Sequence, residues 1–478
     1  MPTQPPIPPE PRARPTALSR RHLLAGAMTA GVGPAIALGW SRTAWADETR
    51  IDAAIATLVT PTAGLMRPDQ AMRIIREEAT ISAVPGLILA LRYGALPRSN
   101  VAVLLAGLTG EAPSQRWFDW MLWQEAHPEV RPTPGYTALK RTLFLSIDSD
   151  FDLFLRDPWL ERDRMRIRFE EIAWGGVAKD GIPSLDDPTL IDAGDAEYLR
   201  DDDPVFGVAI NGDRRAYPLR IMGWHEMFNE VIGGVPVALA YCTLCGAGIL
   251  FETQVPGRER FVFGSSGFLY RSNKLMFDRQ THSLWNQFTG EPVVGPLVGS
   301  GITLAQRPVT IAPWGDWRAA NPGTRVLSLE TGHRRDYGSG VVYRDYFASD
   351  TLMFPALVRD KALAAKDEIF GIRQQGVARA WPLSAFAGGR VINDRIGPLD
   401  IVLVGETGGR TVRAYERGAR QLQADGSGGL RSGTERWEIT EEALIGPGGT
   451  RLPRVAGHLA YWFAWQNYLG LEAELWQG

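Results

Sequence analysis

The chain has 478 residues, 45% hydrophobic and 22% charged, with a formal net charge of −3 at pH 7. That composition fits a soluble globular protein of two or three domains and argues against a nucleic-acid partner, which would call for a basic surface. Cys242 and Cys245 are the two cysteines of the sequence, so the pair is a disulfide, a redox dithiol or half of a metal site.

The N-terminus reads as an export leader. Ser19-Arg20-Arg21-His22-Leu23-Leu24 fits a twin-arginine signal, an uncharged Ala- and Gly-rich stretch runs from Leu23 to Trp40, and Ala44-Trp45-Ala46 offers a small-x-small cleavage site. Gly26, Gly31, Gly33 and Pro34 make the stretch too weakly apolar for a stable span, so residues 1–46 are expected to be removed, leaving no membrane anchor. The twin-arginine export machinery is then a partner, and the location is periplasmic or extracellular. Losing a leader with five arginines and one glutamate moves the net charge to about −7. This route carries folded proteins, which favours a metal inserted before export.

Residues 47–169 have a helical pattern. Pro68-Asp69 opens an amphipathic run, and Ser114 is placed to cap a helix whose Trp117, Trp120 and Trp123 share roughly one face, as core. Trp174-Gly175-Gly176 through Ile182-Pro183 reads as a linker or clamp. From Val205 onward short apolar runs alternate with Gly, Pro and Asn-Gly turns, the mark of antiparallel strands and hairpins. The expected fold class is α+β: an N-terminal helical segment, then a β-rich, internally duplicated pair of domains.

The duplication is direct. Phe206-Gly207-Val208 and Arg215-Ala216-Tyr217-Pro218-Leu219 return 164 positions later as Phe370-Gly371-Ile372 and Arg379-Ala380-Trp381-Pro382-Leu383. Trp314 and Trp317 match Trp462 and Trp465. The two copies span 170–355 and 356–478, and each is expected to supply half of a shared core. Under the 164 shift His225 falls on Gly389, Cys242 on Glu406 and Cys245 on Gly409. Framework residues recur and these three do not, which marks them as candidates for chemistry.

Val235–Tyr241 reads as a strand, 242–246 as a tight turn and Ala247–Glu252 as a returning strand. Cys-x-x-Cys-Gly on a hairpin resembles a metal knuckle, whereas a thioredoxin-like dithiol needs a helix after the second cysteine. The expected metal ligands are Cys242, Cys245 and His225, with His282 and Met276 as weaker candidates. Two thiolates and one imidazole suit copper, with zinc as the alternative. Arg271, Lys274, Asp278 and Arg279 are candidates for holding a substrate, although each also reads as an ordinary hairpin-end residue.

Asp180-Gly-Ile-Pro183, Arg215-Ala-Tyr-Pro-Leu219, Trp224-His225-Glu226, Tyr241-Cys-Thr-Leu-Cys-Gly246, Phe263-Gly-Ser-Ser-Gly267, Met276-Phe-Asp-Arg279 and Gly295-Pro-Leu297 together resemble the bacterial and archaeal proteins grouped as domain of unknown function 3179. The resemblance runs from about Ile167 to the C-terminus. It implies an exported protein and carries no defined activity. Three readings follow: a copper oxidoreductase acting on a small-molecule substrate or redox partner, a non-catalytic metal carrier, and a scaffold with a zinc or disulfide clip.

Overall fold

The computed structural model describes residues 42–60, 66–469 and 473–478. The twin-arginine motif and the apolar stretch behind it lie outside the described residues, and residues 42–46 belong to the helix Arg42–Val59. Among the described residues no helix is long and apolar enough to cross a membrane. The chain is α+β and forms two compact units, one reaching Ser149 and taking in Arg168–Glu171, the other made of Asp150–Ile167 and Ile172–Gly478.

The first unit is helical. Pro68 starts the helix Pro68–Glu78, where its missing N–H costs nothing, and Ala71, Ile74 and Ile75 turn one face inward. The tryptophan helix starts at Trp117 with Arg116 at the N-cap position and no side-chain cap. Ser114 lies too far upstream to cap it. Its hydroxyl binds the Asp119 carboxylate instead, and its carbonyl accepts Trp120 Nε1 at 2.8 Å. Trp117 and Trp120 are buried as expected, while Trp123 is half-buried and stacks on His127 at 4.1 Å.

The second unit contains both copies of the repeat. In the first, Pro204–Ile210 pairs with Asp213–Pro218, Thr310–Pro313 adds antiparallel to the outer edge, and Arg325–Leu327 adds parallel to the inner strand. In the second, Glu368–Gln374, Val377–Pro382, His458–Tyr461 and Glu474–Leu475 repeat that order and those directions. Asn211-Gly212 and Gln375-Gly376 close the two hairpins, each with positive φ at both residues, as a tight turn matching strand twist requires. A Cβ on Gly207 would sit 2.1 Å from the ring of Trp317, and one on Gly371 would sit 2.1 Å from that of Trp465. Glycine is therefore obligatory at both positions, because a fully buried indole occupies the space of a side chain.

Each copy continues into a three-strand meander: Met227–Ile232, Val235–Cys242 and Ala247–Glu252 in the first, Arg390–Ile396, Leu399–Glu406 and Thr411–Glu416 in the second. One apolar cluster joins Phe206, Tyr217 and Leu239 to Phe370, Trp381 and Leu403, so the copies share a core. Their packing is reciprocal. His458–Tyr461 lies against Ala247–Glu252 of the other copy, and Thr310–Pro313 lies against Thr411–Glu416.

A candidate dithiol site

The site is built on the turn that joins two meander strands. Val235–Cys242 ends at Cys242, one 3-10 turn covers Thr243–Cys245, and Gly246 adopts φ 61° before Ala247–Glu252 returns. The returning strand has the bounds expected from sequence, and the first strand runs one residue further than expected, through Cys242. Gln287, fully buried, donates through Nε2 to Ala240 O at 2.8 Å and Ala247 O at 3.0 Å, tying the two strands together beneath the turn. Tyr346 fixes the turn from the other side by donating to Leu244 O at 2.6 Å.

Both cysteines are free thiols and buried, Cys242 at 2% and Cys245 at 0% exposure. Their sulfurs are 2.7 Å apart. Cys245 Sγ also faces Asn273 Oδ1 at 3.4 Å and Ser272 O at 3.7 Å. Those acceptors come from the hairpin Phe263–Tyr270 and Asn273–Asp278, whose turn residues Arg271 and Ser272 both hold positive φ, at 47° and 71°. Two successive non-glycine residues in that region are strained, and the strained turn is the one set against the thiols. Ser272 Oγ and Asn273 Nδ2 are buried there without a hydrogen-bond partner among the described residues.

The charged groups at the site are a buried pair. Lys274 Nζ lies 2.9 Å from the Glu226 carboxylate, with both side chains at most 6% exposed. Thr243, inside the cysteine turn, donates to the same carboxylate at 2.6 Å. Burial pushes the Cys245 thiol well up, the contact with Cys242 and the charge of Glu226 add to the rise, and the Lys274 ammonium opposes it. The Cys245 sulfur is therefore held as a neutral thiol unless it is oxidised or exchanges its proton for a cation.

The ligand set Cys242, Cys245 and His225 is not assembled. His225 ends the helix Leu219–His225, and Glu226 follows in the left-handed region at φ 55°. The imidazole uses one nitrogen on Pro183 O at 2.9 Å and the other on the Tyr337 hydroxyl at 2.6 Å. Burial lowers its pKa to about 4, so it stays neutral. Among the described residues no group of three or more His, Cys, Asp and Glu side chains is placed to hold a metal ion.

The remaining candidates are dispersed. Met276 is buried in the same apolar cluster as both cysteines. His282 sits in a turn at φ 58° and stacks along Phe277. Lys274 reaches the site through Glu226. Asp278 instead accepts Trp285 Nε1 at 2.8 Å and Thr281 Oγ1 at 2.8 Å, Arg279 forms a two-point bridge to Asp180 at 3.0 Å, and Arg271 donates to Asn467 O at 3.2 Å. These three brace the hairpin. The Arg279–Asp180 bridge, with Asp180 N on Ser265 O, fixes 174–183 as a clamp along the sheet.

The family model described as a protein of unknown function, DUF3179, matches residues 179–471, which covers the dithiol turn and both copies of the repeat. Neither the comparison with curated proteins nor that with solved structures gave a match.

Proposed function

Because the chain belongs to the DUF3179 family of proteins of unknown function, whose description supplies no activity, we propose a function from the dithiol turn itself: an exported thiol-redox protein in which Cys242 and Cys245 cycle between dithiol and disulfide. What supports this reading is the 2.7 Å approach of two free, buried thiols that no His, Asp or Glu side chain joins in a metal-holding group among the described residues. Oxidation removes two electrons and two thiol protons and forms one S–S bond; a small thiol or disulfide is the redox partner, gaining or losing the same electrons and protons. A disulfide is apolar and uncharged, so burial that disfavours thiolates does not disfavour it. Glu226, held in place by Lys274, is the buried carboxylate tied to the cysteine turn through Thr243.

A second reading keeps copper without the histidine. Two sulfurs, with the Met276 thioether in the same buried cluster, would supply soft donors suited to copper(I), whereas zinc takes four firm donors. One preparation separates the two. The exported protein is equilibrated against thiol–disulfide buffers of known potential, and free thiols and bound metal are counted at each step. A single two-electron transition, abolished by Cys245→Ser, supports the redox couple. One equivalent of copper with thiols that resist oxidation transfers the site to the metal reading, and thiols that stay reduced and metal-free throughout refute both.

A further inference from the structure

A cavity of about 600 Å³ opens beside the dithiol turn, and Gly246 is part of its wall. Its size suits a small organic molecule. Both copies line it at matching positions: Gly246 and Arg410 are 164 apart, as are Asp202 and Lys366, and Pro204 and Glu368. The first-copy positions carry a glycine, an exposed aspartate and a proline, and the second-copy positions carry a cation, a cation and a carboxylate. The duplication has thus placed Lys366, Glu368 and Arg410 on the second-copy side of a cavity whose first-copy side reaches the dithiol turn at Gly246.

Three of the wall's cations are paired with carboxylates, Arg200 with Asp202 among them. Arg410 uses Nε and Nη2 on Glu368, and Arg220 lies 3.3 Å from Asp203. Lys366 differs, since its ammonium donates to two backbone carbonyls, Tyr346 O and Ser349 O, and touches no carboxylate among the described residues. It sits over the Tyr346 ring at 3.8 Å and 5.3 Å from that of Tyr461, whose ring also flanks Gly246. Two of its three N–H groups are used, which leaves one donor for a ligand. Asp350 and Asp202, also in the wall, are solvent-exposed, so water screens them. Val342, Phe347 and Leu219 supply apolar wall.

We propose that this cavity binds a small organic anion, a carboxylate or sulfonate with an apolar body, whose charged head is taken by Lys366 and whose body lies along Phe347 and Val342. The binding site stands on the cavity and its charges; it rests on the dithiol reading only where the anion also carries the thiol or disulfide group that exchanges with Cys242 and Cys245.

The test uses the full chain and two dyes of similar shape, anionic 8-anilinonaphthalene-1-sulfonate and uncharged N-phenyl-1-naphthylamine, with binding read by fluorescence. The anionic dye is expected to bind about tenfold more tightly than the neutral one, the size of one charge-assisted contact. Lys366→Met should remove that preference while Lys366→Arg retains it, and Leu219→Trp, which fills the cavity, should weaken both dyes. Equal affinity for the two dyes, an unchanged preference in Lys366→Met, or an unchanged affinity in Leu219→Trp overturns the proposal. The thiol couple is titrated in Lys366→Met alongside: a normal couple with lost dye preference supports the anion site, and dye binding without any couple in the wild type leaves this site standing and removes the dithiol reading.

Discussion

The turn 242–246 and its counterpart 406–410 occupy the same place in the two copies, between meander strands whose registers match: Cys242 pairs with Ala247, and Glu406 with Thr411. In the second copy the first residue is an exposed carboxylate that accepts Gly408 N at 2.7 Å and Gly409 N at 2.6 Å. Those amides hold the Glu406 carboxyl below its usual range, while burial drives the Cys245 thiol up. One backbone frame thus carries a solvated turn that closes itself and a dry turn whose side chains are satisfied by groups from elsewhere. In the second copy a local carboxylate satisfies the turn's amides, whereas the first copy's turn leans on Asn273 and on the Glu226–Lys274 pair, and it is there that we place the proposed chemistry.

The comparison breaks first where the copies agree. Trp317→Ala and Trp465→Ala should each cost about 3–5 kcal/mol, in equal measure, because each indole fills the space left by a glycine of its own copy. Matched losses in chemical denaturation support the duplicated frame, and a large loss in one with a negligible loss in the other defeats it. Next comes the buried pair found in the first copy alone. Lys274→Met leaves the Glu226 carboxylate buried beside the thiols and should cost about 3 kcal/mol, with Lys274→Met/Glu226→Gln recovering most of it. Equal losses in the single and double variants would sink the claim that the pair acts as a unit.

The two turns should also respond to pH in opposite senses. Cys245, raised above its ordinary value of 9.0 in the folded protein, contributes stability that is full below pH 9 and is lost as pH rises toward its folded value. Under reducing conditions the wild type should therefore lose stability above pH 9 relative to Cys245→Ala, which itself should cost about 1–2 kcal/mol at neutral pH. Glu406, lowered below 4.5, contributes a small stability above pH 4.5 that disappears as pH falls through its folded value. Glu406→Gln should match the wild type in strong acid and fall slightly below it at pH 7. Parallel pH profiles for the two variants would erase the contrast between the turns.

Much of this frame is legible in the sequence because its determinants are local. Positive-φ turn pairs, the Phe-Gly-Val and Phe-Gly-Ile motifs and the spaced tryptophans encode the hairpins and the shared core without reference to distant residues. The direction of the His225 ring is not local: its nitrogens are held by Pro183 O and the Tyr337 hydroxyl, distant in sequence, and no apolar pattern announces those contacts. The available signal was charge inside apolar runs, Glu226 beside Met227 and Lys274 beside Leu275, since two isolated opposite charges in buried strands have to meet each other. Ser114 shows the same limit at smaller scale, where a helix that starts at Trp117, past the position Ser114 could cap, converts an expected cap into a brace for Asp119.

The crosswise seating of each copy's edge strand on the other's meander has an evolutionary consequence. A self-complementary contact of that kind is what two identical protomers make across a two-fold axis. A gene fusion of such an ancestral homodimer would have placed two equivalent cavity walls under separate mutation, letting one acquire Lys366 and Arg410 while the other kept its cysteines, an asymmetry no pair of identical subunits can evolve.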